Sequence, residues 1–441
     1  MIYGNLALKL EKDFNPPFVG YSLRTPEQKE DILAIYVDEN GKTYNTAGKV
    51  DYVAGWYYKA SQYMEGTKSR AAFVSTNSIC QGEQVEAVWK PLYELFHINI
   101  DFAYQTFIWN SESRNKAAVH CVIVGFSCSD NSRRKKIYTA GKLNIVDDIN
   151  PYILPLKPIF IGSRKKPLCD VPEIVKGSSP VDGQNLLITE EEYKLFQDKE
   201  PEVLDMIHPF LGAKEFIQGT KRYCLWLKGI NPSRINKSTL VRTRVESTRD
   251  FRLKSTKAAT RKYADYPTRF MEDRQPSSTY ILIPRHSSQN RRYIPMGFMS
   301  MEVICGDANN AMLNATIYDF GILESNVHMA WMRTVCGRIK SDYRYSNDIV
   351  YNNFPWPTPT DKDRAAIEKT AQAILDARAL YPDSSLADLY DPVTMPPELI
   401  KAHRANDKAV MQAYGFWGKL NSESECVAEL MKMYESLTAD K

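Results

Sequence analysis

The chain has 441 residues, 43% hydrophobic and 25% charged, the balance of an ordinary globular protein with room for two or three domains and their cores. No apolar run approaches the ~20 residues of a membrane span, and Lys9, Glu11, Lys12 and Asp13 leave no signal-peptide core at the N-terminus. Eight cysteines without a Cys-x-x-Cys pair or a histidine cluster argue against zinc and disulfides, and for buried reduced thiols in a cytosolic protein.

In chain order, residues 1–140 alternate strand and helix patterns. Asn15-Pro16-Pro17-Phe18 comes first. Residues 51–64 have helical spacing, with Val53, Trp56, Tyr57, Ala60 and Tyr63 as the stripe. Residues 71–75 read as a buried parallel strand, and 82–95 as a helix with Val85, Val88, Trp89 and Leu92 inward. Residues 98–109 and 117–126 form an antiparallel hairpin. This order predicts an α/β domain, the second half of a doubly wound sheet with a C-terminal antiparallel hairpin.

Residues 141–357 read as a mixed α+β domain with short strands such as 280–284 and 292–295. The net charge of the whole chain is only +4, yet between Lys221 and Arg292 eighteen Lys/Arg stand against five Asp/Glu. Such a concentration is the footprint of a nucleic-acid surface, with a merely solvated basic face as the alternative. The densest group is Arg242, Arg244, Arg249, Arg252, Lys254, Lys257, Arg261 and Lys262, and Arg285, Arg291 and Arg292 form a second. Most are expected at phosphates, with one or two arginines free to read guanine. Tyr343, Arg344 and Tyr345 serve either packing, the stronger reading, or the DNA backbone. Residues 358–441 turn helical: Thr360 with Asp363, and Ser422 with Glu425, have capping spacing, and Pro396-Pro397 opens a helix between them.

The residue types at 15–18 suit chemistry on an exocyclic amine, whose lone pair is delocalised into a purine ring. The Asn15 side-chain oxygen and the Pro16 carbonyl can accept its two N–H bonds and draw the nitrogen toward sp³ geometry. The prolines fix φ and leave that carbonyl without a competing N–H. Phe18 can stack on a base extruded from the duplex. Phe107 and Trp109 share one face of their strand, so both line the base pocket or both belong to the hairpin core.

Together with these residues, Tyr3-Gly4-Asn5, 73–78, 107–110, 118–126, 177–183, 222–227, 341–346 and 351–357 resemble, in order, the MmeI-like Type IIL restriction–modification proteins. The resemblance implies a class I, S-adenosylmethionine-dependent DNA adenine-N6 methyltransferase domain over 1–140, a target-recognition domain over 141–357 and a helical subdomain over 358–441. It assigns Asn15, Pro16, Pro17 and Phe18 to catalysis and double-stranded DNA as partner. The family's cofactor loop is Gly-rich and lies well upstream of the motif. Here fourteen residues precede the motif, and none of the 21 glycines stands two positions from another. The expectation is therefore a C-terminal portion without the cofactor-binding half, binding no cofactor and inactive alone, served by an upstream-encoded chain. A DNA-binding module without catalysis is the alternative, and protein glutamine methylation a weaker one. A half sheet exposes an apolar face. Either a second copy covers it, giving a homodimer, or residues 1–14 fold back, since Leu6, Leu8 and Leu10 alternate.

Overall fold

The computed structural model describes residues 17–110, 118–128 and 134–439. Asn15, Pro16 and the alternating leucines of the N-terminus lie outside the described residues. A mixed sheet of β1 (Arg70–Thr76), β2 (Asn99–Asn110), β3 (Ala118–Ser127), β4 (Lys135–Thr139) and β5 (Lys142–Val146) runs in the order β1-β3-β2-β4-β5. The β2–β4 pair is parallel and the other pairs are antiparallel. β1 is not the buried parallel strand its apolar run suggests: its partner is antiparallel β3, and only Ser75 is fully buried along it. The sheet also continues to Val146, past the composition boundary at 140. β4 and β5 are mostly polar outer strands, which hides them from a search for apolar runs.

Helices α1 (Pro26–Ile35), α2 (Ala54–Met64) and α3 (Lys90–Phe96) accompany this sheet, α3 being entered through a π-turn at Val85–Trp89. α2 buries Ala54, Tyr57, Tyr58, Ser61 and Met64, so its inner stripe is rotated by one position from the expected one and Tyr63 is 77% exposed. The Tyr57 ring lies 5.2 Å from Phe73, 5.2 Å from Trp89 and 5.3 Å from Phe126, a geometry in which each aromatic pair adds about 0.5–1.5 kcal/mol to the area buried. The sheet's other side carries a cross-strand row of Val74, Ile123, Tyr104, Tyr138 and Leu143. Tyr104 stacks on Tyr138 at 4.1 Å, and Tyr104 and Leu143 are 38% and 48% exposed. A side chain at Gly125 would run into the Phe102 ring, which lies over it on this side.

In chain order the remaining strands are β6 (Ile174–Lys176), β7 (Leu187–Ile188), β8 (Ile207–Leu211), β9 (Tyr223–Leu225), β10 (Tyr280–Pro284), β11 (His286–Ser287), β12 (Gly297–Met299), β13 (Ile304–Cys305), β14 (Asn309–Met312), β15 (Gly337–Ile339) and β16 (Asp342–Arg344). They form sheets β12-β10-β14-β6, β13-β8-β9-β7 and β11-β16-β15. The expected strand at 292–295 is absent, because Tyr293 and Ile294 are buried without ladder partners. Helices α4 (Glu190–Lys199) and α5 (Thr239–Leu253) cover the β13-β8-β9-β7 sheet around an apolar cluster that includes Leu186, Phe196, Leu225, Val241 and Phe270.

The C-terminal helices α8 (Asp361–Ala379), α9 (Pro397–Ala413) and α10 (Glu423–Ala439) pack on α6 (Ile317–Leu323) and α7 (Asn326–Val335). Thr360 and Asp363 form the expected capping box, and Ser422 accepts the Glu425 N–H at 3.2 Å. α6 and α8 approach so closely that a Cβ on Gly321 would sit 2.7 Å from Ile367 Cγ2. Arg378 of α8 pairs with the fully buried Glu324 at 2.7 Å. The three segments do not each close a core of their own: one apolar cluster runs from Ile32 through Trp331 to Tyr434, and only the middle segment adds separate ones.

Candidate target-base site and nucleic-acid interface

β1 and β2 point the same way, so their C-terminal ends share one rim of the sheet, where α/β folds place ligands. The segment after Phe18 is tied to this region through Asp51. Phe18 packs part of its ring on the main core and stays half-buried. The Pro17 carbonyl accepts the Val19 N–H at 3.0 Å, and the Val19 carbonyl accepts from Tyr52 N–H at 2.9 Å. Asp51, 7% exposed, holds the turn that begins at Tyr21: Oδ1 accepts the Tyr21 N–H at 2.8 Å and Oδ2 accepts from Ser78 Oγ at 2.6 Å. Burial raises the Asp51 carboxyl above the usual range, while these two donors pull it back. Gln84 accepts the Asp51 N–H at 3.0 Å and donates to the Lys49 carbonyl. One carboxylate thus ties the segment after the motif to the loop after β1. Sequence pattern does not mark Asp51, because an Asp shortly before a helix looks like a surface residue.

From Ser78 the connection continues. Asn77 Nδ2 donates to Thr106 Oγ1 at 3.4 Å, one residue before Phe107. A bulge lies between Tyr104 and Phe107. Tyr104 pairs with Ile123 and Phe107 with Cys121, two residues apart on β3, so Phe107 lies on the outer side with Tyr104. Phe107 is half-buried, Trp109 is 49% exposed, and their rings are 6.3 Å apart. Neither belongs to the main core cluster.

The basic segment divides sharply. Arg252 is the clearest correction: it is fully buried and cannot reach a phosphate. Its guanidinium donates to the carbonyls of Val181 at 3.0 Å, Tyr263 at 3.3 Å, and Tyr266, Pro180 and Arg269 at 2.8 Å each. Arg244 is likewise engaged, donating to the carbonyls of Asn185 at 2.9 Å and Leu187 at 3.1 Å and pairing with Glu192. Arg261 is exposed but caps the Ser255 and Thr256 carbonyls at 2.8 Å each, and Arg242 pairs with Glu246 at 2.8 Å. Arg249, Lys254, Lys257 and Lys262 are exposed, with no side-chain partner among the described residues.

Arg285 is half-buried and donates to the Asp307 carbonyl at 3.0 Å; burial, then Arg344, lowers its guanidinium. Arg291 reaches Ser287 Oγ at 3.5 Å, and Arg292 faces Asp407 at 3.7 Å while lying over the Tyr293 ring. Tyr343 and Tyr345 are buried, as packing requires, whereas Arg344 between them is exposed. All eight cysteines are free, and no group of metal-ligating residues occurs among the described residues. No described helix is long and apolar enough to cross a membrane.

A sheet rim with aromatics at one side, followed by a lobe with exposed cations, is the arrangement of a methyltransferase-type domain joined to a recognition domain. Three family models match the chain: the MmeI DNA-methyltransferase domain over residues 14–139, the MmeI target recognition domain over 155–358 and the MmeI C-terminal domain over 359–440. The chain belongs to the MmeI family. It is 39% identical over 425 residues to DNA methyltransferase A of Bacillus subtilis (strain 168), covering 96% of this chain and 47% of that protein. Its fold matches the Type IIL restriction–modification enzyme MmeI solved in complex with DNA, with a TM-score of 0.89 and 43% identity over 96% of this chain and 57% of that one. The chain thus spans about half the length of these relatives.

Proposed function

We propose that this chain forms the target-base site and DNA-recognition part of an S-adenosylmethionine-dependent DNA adenine-N6 methyltransferase in a restriction–modification system of the cytoplasm. The observation that supports the reading is the set of contacts from Val19 and Tyr21 through Asp51 and Ser78 to Asn77 and Thr106, which ties the segment after the motif to the strand that carries Phe107 and Trp109. In this reading the duplex lies along the exposed cations of α5 and the residues after it, and one adenine leaves the stack. Asn15 Oδ1 and the Pro16 carbonyl accept its amino hydrogens, Phe18 stacks on the ring, and Phe107 with Trp109 closes the pocket. No general base is assigned among these residues.

The residues in hand do not fit the methyl donor: no Gly-x-Gly occurs in the chain, and no Gly-rich strand–loop–helix is found among the described residues. The donor half is assigned to a cofactor-binding region outside these 441 residues, which would cover the outer side of the sheet. In its absence a second copy would do so. The lack of a glycine loop equally favours a second reading, a DNA-binding module without catalysis. Calorimetry with S-adenosylmethionine and a DNA-binding titration of the same chain test the first reading. It predicts DNA binding without cofactor binding, and micromolar affinity for the cofactor alone would overturn the assignment of the donor half.

A further inference from the structure

We propose that Arg344 and His286 are positioning residues that hold a phosphate of the strand carrying the extruded base, an inference that rests on the DNA-methyltransferase reading above. The two residues stand directly opposite each other on β16 and β11, and both are exposed. Arg285 precedes His286, and its carbonyl accepts the Tyr345 N–H at 2.8 Å, which locks the two strands together beside Arg344. Two basic side chains placed opposite each other on a ladder repel when both are charged. Among the described residues none of Arg285, His286 and Arg344 makes an ion pair with a carboxylate. Asp342, the neighbouring acid on β16, accepts the Gln289 N–H at 3.2 Å. Burial, then Arg285 and Arg344, lowers the His286 imidazole, so it offers a neutral N–H beside the Arg344 fork. A guanidinium fork with an adjacent imidazole N–H matches the oxygens of one phosphate diester.

The place in the fold gives this cluster its role. Gly82 donates its N–H to the Val335 carbonyl at 3.2 Å, and a Cβ on Gly82 would lie 3.0 Å from Gly337 Cα at the start of β15. The β11-β16-β15 sheet is therefore packed on the turn containing Gln84, the residue that holds the Lys49–Asp51 backbone beside Val19 and Tyr21. Asp348 is within electrostatic reach of Arg285 on one side and of Glu83 and Lys49 on the other. The basic residues of α5 and the turns after it belong to a different lobe. Phosphate contacts position a duplex without reading it, and a contact here fixes the backbone next to the base pocket rather than the distant site.

The test compares two labelled duplexes, one fully paired and one with an adenine opposite an abasic position, bound by the full chain over a salt series. The wild type is expected to prefer the unpaired adenine by about tenfold, the unpairing cost being already met. Arg344→Gln should lower the slope of log affinity against log salt by about one and abolish this preference, and His286→Gln should weaken the preference. Lys254→Gln, on the distant lobe, should lower the slope by a similar amount and keep the preference. Wild-type behaviour of Arg344→Gln in slope or in preference overturns the proposal, as does an equal loss of preference in Lys254→Gln. A wild-type chain that binds neither duplex refutes the DNA reading itself, which is a separate outcome.

Discussion

Replacing Arg252 by Ala should unfold the recognition lobe rather than weaken DNA contact. In the native chain the buried guanidinium satisfies five backbone carbonyls drawn from two places, 180–181 and 263–269, and its charge lies 5.2 Å over the Tyr263 ring. Each buried carbonyl stranded without a donor costs about 1–3 kcal/mol. Part of that total is recovered, because the desolvated cation is itself removed and water enters the space. A net loss of about 3–5 kcal/mol is expected, the range for breaking a buried charged network from one side. Arg252→Lys should recover little, since an ammonium with three donors cannot span five acceptors. Urea unfolding followed by circular dichroism gives the stability, and hydrogen exchange over residues 254–270 shows whether that segment loosens. A variant within about 0.5 kcal/mol of wild type, with the salt slope of DNA binding flattened by about one, would refute the structural role and return Arg252 to the phosphates.

Asp51→Ala removes the acceptor for Tyr21 N–H and Ser78 Oγ and should cost about 1–3 kcal/mol, with fast exchange of the Tyr21 amide; unchanged protection there would contradict its role in holding that turn. His328 is fully buried and its imidazole is pushed down from 6.5 to about 3. Between those values only the unfolded chain takes up the proton, so stability is complete above pH 6.5 and falls as pH drops toward 3, by up to about 1.4 kcal/mol per pH unit. His403 is lowered in the same sense by burial and then by Arg378, and His328→Gln should flatten the fall in denaturant midpoint between pH 7 and 5. A variant as acid-sensitive as wild type would contradict this. Light scattering at micromolar concentration should find self-association, reduced toward the 50.5 kDa monomer by Tyr104→Ser with Leu143→Ser; a wild-type monomer would show that the outer side of the sheet needs no cover.

Elements whose period and caps agree are legible from the chain. The strand read at 117–126, the helix read at 82–95, which the structure enters through a π-turn, and the Thr360–Asp363 box all appear close to where the pattern puts them. β4 and β5 are not legible, because lysines at 135, 136 and 142 mask outer strands that need only one apolar side. A bulge is invisible to alternation, so the side on which Phe107 falls comes only from the register with Cys121. Arg252 and Arg249 are three residues apart on one basic helix and look equivalent in sequence, yet burial depends on the loop that folds over the first of them. Asp51 likewise acquires its role from Tyr21 and Ser78, which meet only in three dimensions.

The central claim is that these residues present the target base while the methyl donor is held by a region outside them. Transfer of labelled methyl groups to duplex DNA tests it most directly, using this chain alone and mixed with the part of Bacillus subtilis DNA methyltransferase A that this chain does not match. The account predicts no transfer by the chain alone, N6-methyladenine on mixing, and loss of that product with Asn15→Ala. Methylation by the isolated chain, or undiminished transfer with Asn15→Ala in the mixture, would contradict it.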